Sequence, residues 1–252
     1  MKLNYKEFGE GRPMIILHGL MGSLDNWQSL AKRFSENFKV YTIDQRNHGQ
    51  SPHSDEMNYD VMSNDLKEFI EDHNITKPIL IGHSMGGKTV MKYTLENPDK
   101  VEAMISVDMS PRDYAVHHDF ITEALLSVDF NKVKSRKEVE DILMKQLNNM
   151  GIVLFLAKNV YWESKEKLAY RFNLEVLNDN LDLISGWPHC IASYPGKSLF
   201  IRGSKADYIQ DDEPNIDAYF PNHTVVTLDS GHWVHAEKPE EFFQSVMDFL
   251  GE

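Results

Sequence analysis

A single cysteine, Cys190, stands in the whole chain, so no internal disulfide can form and a reducing compartment is the default. Nor is there an apolar run near the roughly 18 residues a membrane span needs. The longest candidate, Ile152 to Ala157, is far shorter and reads as a core helix segment. The start, Met-Lys-Leu-Asn-Tyr-Lys-Glu, lacks the apolar stretch of a secretory signal, and a cytoplasmic location is the expectation. Positive charge is scarce: 26 Lys and Arg face 39 Asp and Glu, a net charge of -13. Because nucleic-acid affinity draws mainly on neutralised phosphates, nucleic acid is set aside as a partner. P-loop, dinucleotide fingerprint, Cys/His metal spacing, repeats and low-complexity linkers are all missing, and no cofactor is called for.

What is present suits a soluble α/β protein. At 252 residues and 41% hydrophobic the chain can bury a full core in one domain. Short apolar runs recur at Met14 to Leu17, Val40 to Ile43, Ile79 to Ile81 and Met104 to Val107, and again at Ser198 to Ile201 and Thr224 to Leu228. Continuous apolar runs of strand length suit strands covered on both faces, hence a mostly parallel central sheet. Between them lie helical patterns: Met62, Leu66, Phe69 and Ile70 after a cap at Asn58, a stretch from Gly86 that stops at Asn97-Pro98, and a last helix over Pro239 to Leu250. From Pro111 to Pro195 the strand signal disappears and helices are expected over Val133 to Asn149, Ser164 to Leu177 and Leu181 to Ile184. The expected organisation is a core of residues 1–110 and 196–252 with a helical cap, 111–195, inserted in it.

Chemistry concentrates at strand ends. Gly82-His83-Ser84-Met85-Gly86 fits G-x-S-x-G, directly after an expected strand and before an expected helix, the context that turns a common glycine pattern into a nucleophile turn. A serine hydroxyl needs a base to react at neutral pH. Ser230-Gly231-His232-Trp233 follows the final strand, which makes His232 the expected base. The amides of Met85 and of Leu20, in His18-Gly19-Leu20-Met21-Gly22, are the expected donors to a developing oxyanion, and the small Gly19 lets the backbone approach. His18 reads as structural. His232 and His235 make only a lone pair of metal-ligand type, too little for a metal site.

The acid that orients His232 has two candidates. Asp108, after Ile105 to Val107, is favoured; Asp207, after Arg202-Gly203-Ser204-Lys205-Ala206, is the alternative, one residue beyond the spacing expected after Gly203. Asp44 to Ser51 is polar enough to resemble a second site, but its Asp and Asn suit turn bonding, Gly49 permits positive φ, and Arg46 suits a loop-bracing ion pair. His117-His118-Asp119 and Asp211-Asp212-Glu213 read as solvated surface. Trp162 and Trp187, with Phe155 and Tyr161, are candidates for lining a substrate cleft under the cap.

Taken together, these residues resemble the small bacterial YbfF-type esterases and their mitochondrial relatives, within the α/β-hydrolase superfamily. The resemblance covers nearly the whole chain. It rests on His18 to Ser23, Asp44 to Ser51, Gly82 to Lys88, Val107-Asp108-Met109-Ser110-Pro111 and Gly231-His232-Trp233-Val234-His235-Ala236-Glu237-Lys238-Pro239. It implies an α/β-hydrolase fold and hydrolysis of esters or thioesters, with an acid at the Asp108 position; a small-molecule ester or thioester is the expected partner, and a monomer or homodimer the expected state. At Ala206-Asp207 a small polar residue and proline would match the family better, and the Asp207 carboxylate keeps the alternative acid open. Carbon-carbon bond hydrolysis, cofactor-free perhydrolysis, or slow-turnover ligand reception would use the same fold and residues.

Overall fold

A computed structural model describes residues 1–115, 119–188 and 190–252. His117 and His118 therefore lie outside the described residues, as does the side chain of Asp119. In chain order the elements are strands β1 (Tyr5–Phe8), β2 (Arg12–Leu17) and β3 (Phe38–Ile43) around helix α1 (Gln28–Phe34), then α2 (Tyr59–Asp72), β4 (Ile79–His83), α3 (Met85–Glu96) and β5 (Ala103–Val107). Next come α4 (Asp119–Leu126), α5 (Arg136–Leu147), α6 (Met150–Ala157), β6 (Val160–Trp162), β7 (Leu168–Tyr170), α7 (Leu174–Asp179) and α8 (Leu181–Ser185). The chain closes with β8 (Lys197–Gly203), α9 (Pro214–Tyr219), β9 (His223–Leu228), α10 (Val234–Glu237) and α11 (Pro239–Leu250).

Seven strands form one sheet in the order β1-β3-β2-β4-β5-β8-β9, parallel throughout except for β1, which runs antiparallel on the edge of β3. All six strands expected from apolar runs are there. The central ones have helices on both faces, so Ile15 packs in one core cluster and Ile16 in the other, each fully buried. Burying such a side chain contributes roughly 1.5–3 kcal/mol, which is why the runs are continuous rather than alternating. Helix α2 begins where expected: the Asn58 side chain accepts the Val61 N–H at 3.0 Å.

The stretch from Ser164 to Leu177 departs from the helix expected there. Its first half closes an antiparallel hairpin, with Val160 opposite Tyr170 and Trp162 opposite Leu168, and helix returns only at α7. The Glu163–Lys167 pair, spaced to brace a helix, instead bridges the hairpin turn at 2.9 Å. Burial of Val160 and Leu168, and stacking of Tyr170 on Phe172 at 4.9 Å, outweigh local helix propensity. Among the described residues no helix is long and apolar enough to cross a membrane.

Candidate active site

Ser84 lies between β4 and α3 with φ 51° and ψ -118°, a left-handed backbone that costs a non-glycine residue about 1–2 kcal/mol. The turn is tight because α3 presses on the end of β2: a Cβ on Gly86 would sit 2.6 Å from the His18 carbonyl oxygen. One on Gly19 would sit 2.7 Å from His83 Nδ1 and 3.2 Å from the Ser84 Cβ. Gly19 thus keeps the loop after β2 against the serine turn. Met85 opens α3, where amides have no intrahelical partner and the helix dipole is positive. Leu20 and Met85 both border a cavity of about 30 Å³ beside Ser84, and Leu20 also borders one of about 50 Å³ that contains Ser84 and His232.

Backbone contacts lock the three strand ends together. The Ser84 N–H donates to the Val107 carbonyl at 3.1 Å, and the Asp108 N–H to that of Ile201 at 2.7 Å. Asp108, fully buried and itself at φ 48°, accepts the Gly203 N–H on Oδ1 at 2.9 Å and faces His232 Nδ1 with Oδ2 at 2.7 Å. A carbonyl or carboxylate partner fixes the ring proton, so this contact places a proton on Nδ1 and turns Nε2 away from the acid. Burial is the main cause that raises the Asp108 carboxyl above its usual range, with Asp207 and Glu237 adding to it, while the Gly203 amide pulls it down. Asp207 is exposed, and its carbonyl accepts from Arg112 at 2.7 Å. Asp108, not Asp207, therefore meets the imidazole.

Three neighbours of the site escaped the sequence reading. Tyr208 stacks on the His232 ring at 4.0 Å and 22°. His83 Nε2–H donates to the His232 carbonyl at 2.9 Å, pinning the loop that carries it. Lys88, one turn beyond Ser84, is buried with its ammonium donating to the Ser185 and Gly186 carbonyls at 2.6 and 2.7 Å, and burial lowers it to about 7. The clue to all three was position: one flanks the nucleophile, one lies a turn along its helix, and one follows the alternative acid.

Two cleft candidates are placed elsewhere. Trp162 is half exposed on the β6–β7 hairpin, and Trp187 is buried in the core against Tyr219 at 5.7 Å. Neither borders the two cavities at Ser84; Phe155 borders the larger, whereas Tyr161 lies under Arg171. The Asp44 loop is structural as expected. Asp44 accepts from Leu24, Asn4 and Gln50, and Arg46 forks onto Asp65 at 2.6 and 3.0 Å. Glu213 corrects the surface reading of its cluster: it is largely buried, taking the Ser110 hydroxyl at 3.1 Å with Arg112 at 3.3 Å. No group of three or more metal-ligating side chains occurs among the described residues. His235 stacks on Trp27 at 4.1 Å instead.

Two neutral histidines hold the loop after β2. His18 donates from Nδ1 to the Gly19 carbonyl and accepts the Gln45 N–H on Nε2; His48 donates to the Arg46 carbonyl and accepts the Met21 N–H. Protonation would set N–H against N–H. Burial lowers His18 to about 4 and His48 to about 3, and lowers His83 and His235 as well. Their folded-state values lie below the ordinary 6.5, so the unfolded chain binds more protons. The stability they support is complete above pH ~6.5 and is lost as pH falls toward 4, each tenfold difference in a ring's proton affinity between the two states contributing ~1.4 kcal/mol. Four such rings outweigh the one buried carboxyl, Asp108, that gains stability as pH falls, so the thermal midpoint is expected to fall from pH 7 to 4.5; a flat profile in an Asp108→Asn protein would contradict neutral, buried rings.

The α/β hydrolase fold family matches residues 12–138. The chain belongs to this family. It is 35% identical over 243 residues to Esterase YbfF of Escherichia coli, covering 95% of this chain and 93% of that protein. It is 38% identical over 263 residues to the sn-1-specific diacylglycerol lipase of Danio rerio, covering 99% and 83%. The solved structure of a marine microorganism esterase superposes with a TM-score of 0.95 at 40% identity, covering 98% of this chain and 99% of that one. The expected YbfF-type kinship and the fold are both borne out.

Proposed function

We propose that the protein is a carboxylic ester hydrolase working through an acyl-enzyme on Ser84. The observation that carries this reading is the 2.7 Å contact of Asp108 with His232 Nδ1, with His232 sharing a cavity with Ser84. Nε2 of His232 takes the Ser84 proton as Oγ bonds to the ester carbon, and the carbonyl oxygen gains negative charge facing the Leu20 and Met85 amides. The intermediate collapses with the proton passing from Nε2 to the leaving oxygen, or sulfur in a thioester. Water then bonds to the acyl carbon as His232 takes its proton, and the carbon–Oγ bond breaks with that proton passing from Nε2 to Ser84, releasing the acid. Asp108 holds the ring and balances the imidazolium charge. The esterase and lipase names of the relatives support the substrate class.

Residues 111–195 act as a cap over the core of 1–110 and 196–252. Its Ile121, Ile152, Phe155 and Leu156 border the cavity of Ser84, and its Ile184 carbonyl accepts the Tyr59 hydroxyl at 2.6 Å. A fluorophosphonate that reports activated serines tests the assignment: one equivalent is expected on the peptide containing Ser84, with p-nitrophenyl acetate hydrolysis lost in proportion. Labelling elsewhere, or full activity in the labelled protein, would overturn it.

A further inference from the structure

Next to the cavity holding Ser84 and His232 lies a groove of about 470 Å³. The two share His83, Phe155 and Trp233 as lining residues, so the groove lies against the side of the cavity next to His232. Its walls are largely apolar, with Leu154 and Phe155 of α6 together with the stacked Trp27 and His235 rings. The remaining cavity at Ser84 measures about 30 Å³, far less than the 470 Å³ of the groove. It is walled by Met85, Met109, Tyr114 and Lys88, and Lys88 is tethered there by two carbonyls with its ammonium 4.7 Å from the Tyr114 ring. A long chain would have to displace that anchored amine.

Reaction chemistry assigns the two spaces. When the tetrahedral intermediate collapses, the bond from the carbon to the leaving oxygen breaks and that oxygen takes the proton held on His232. The leaving group must therefore lie on the side bordered by His232, which is the side nearest the groove. The acyl substituent is left with the small cavity, which borders Met85 and Lys88. Resting on the ester-hydrolase reading above, we infer that this protein cleaves short-acyl esters of bulky apolar alcohols, with the acyl group beside Lys88 and the alcohol in the groove of Phe155 and Trp233.

Octyl acetate and ethyl octanoate test the inference, because they are isomers with equal apolar content and opposite distribution. The parent protein is expected to show kcat/KM about tenfold or more in favour of octyl acetate, the discrimination a few misplaced methylenes produce. Leu154→Trp, at a half-exposed position on the groove wall, is expected to lower the ratio of octyl acetate to ethyl acetate hydrolysis severalfold. Equal rates for the isomers, or preference for ethyl octanoate, would overturn the assignment while leaving ester hydrolysis intact. Hydrolysis of neither ester together with no fluorophosphonate on Ser84 would remove both readings.

Discussion

Truncating Ser84 to alanine is expected to lower kcat for p-nitrophenyl acetate by about 10⁶-fold, leaving only the residual rate that oxyanion donors and binding supply without a nucleophile. The fold is expected to tolerate the change. Alanine meets the same left-handed backbone as serine at φ 51°, and the bond that anchors the turn, from the Ser84 N–H to the Val107 carbonyl, belongs to the main chain. A purified Ser84→Ala protein with a parental thermal midpoint and parental hydrolysis would end the proposed mechanism. A protein with lost hydrolysis and a collapsed midpoint would instead say that the elbow needs the hydroxyl.

The second large effect separates activity from stability in opposite directions. Asp108→Asn is expected to lower kcat by about 10⁴-fold, since an amide neither enforces the Nδ1–H form of His232 nor balances the imidazolium. Yet the same change is expected to leave the thermal midpoint at pH 8 equal to or above that of the parent. Burial raises the Asp108 carboxyl to about 7, above its ordinary 3.8, so the folded state holds this proton more tightly than the unfolded one. The cost of ionising it therefore builds as pH rises from ~4 to ~7 and is fully present at pH 8. Asparagine carries no such charge, tolerates the φ of 48°, and can still accept from the Gly203 amide. Asp207→Asn serves as the comparison, and kcat within about twofold of the parent is expected for this exposed side chain. If Asp207→Asn abolished activity and Asp108→Asn did not, the acid would be reassigned.

These two aspartates also show what the sequence carried and what it withheld. The apolar runs behind β2 to β5 were legible because strands covered on both faces leave no polar alternation to confuse. The Ser84 turn was legible because G-x-S-x-G stands between such a strand and a helix. Asp108 and Asp207 were harder to rank, since both follow strands and the choice depends on which carboxylate turns inward. That orientation comes from the Asp108 N–H on Ile201 and the Gly203 N–H on Oδ1, contacts between residues almost a hundred positions apart. The hairpin of β6 and β7 was hidden because Glu163 to Lys167 has helix-forming composition, while the decisive burial of Val160 and Leu168 is tertiary. Aromatic identity likewise misplaced Trp162 and Trp187, because nothing local says whether a ring faces a cleft, solvent or the core. The edge strand β1 was missed for the opposite reason: its Tyr-Lys-Glu-Phe run is half exposed and barely apolar.

The close approach of the Gly86 backbone to the His18 carbonyl, which leaves no room for a side chain, bears on how this architecture diversifies. The two stretches proposed to offer amides to the substrate oxygen approach main chain to main chain, so changes in the residues that border the cavities from residues 111–195 need not alter their separation. Residues of the proposed cap that border the cavities can be exchanged for others of different size, reshaping what is admitted, while the proposed reacting atoms keep their spacing. A lineage can thus sample new substrates without re-solving the chemistry.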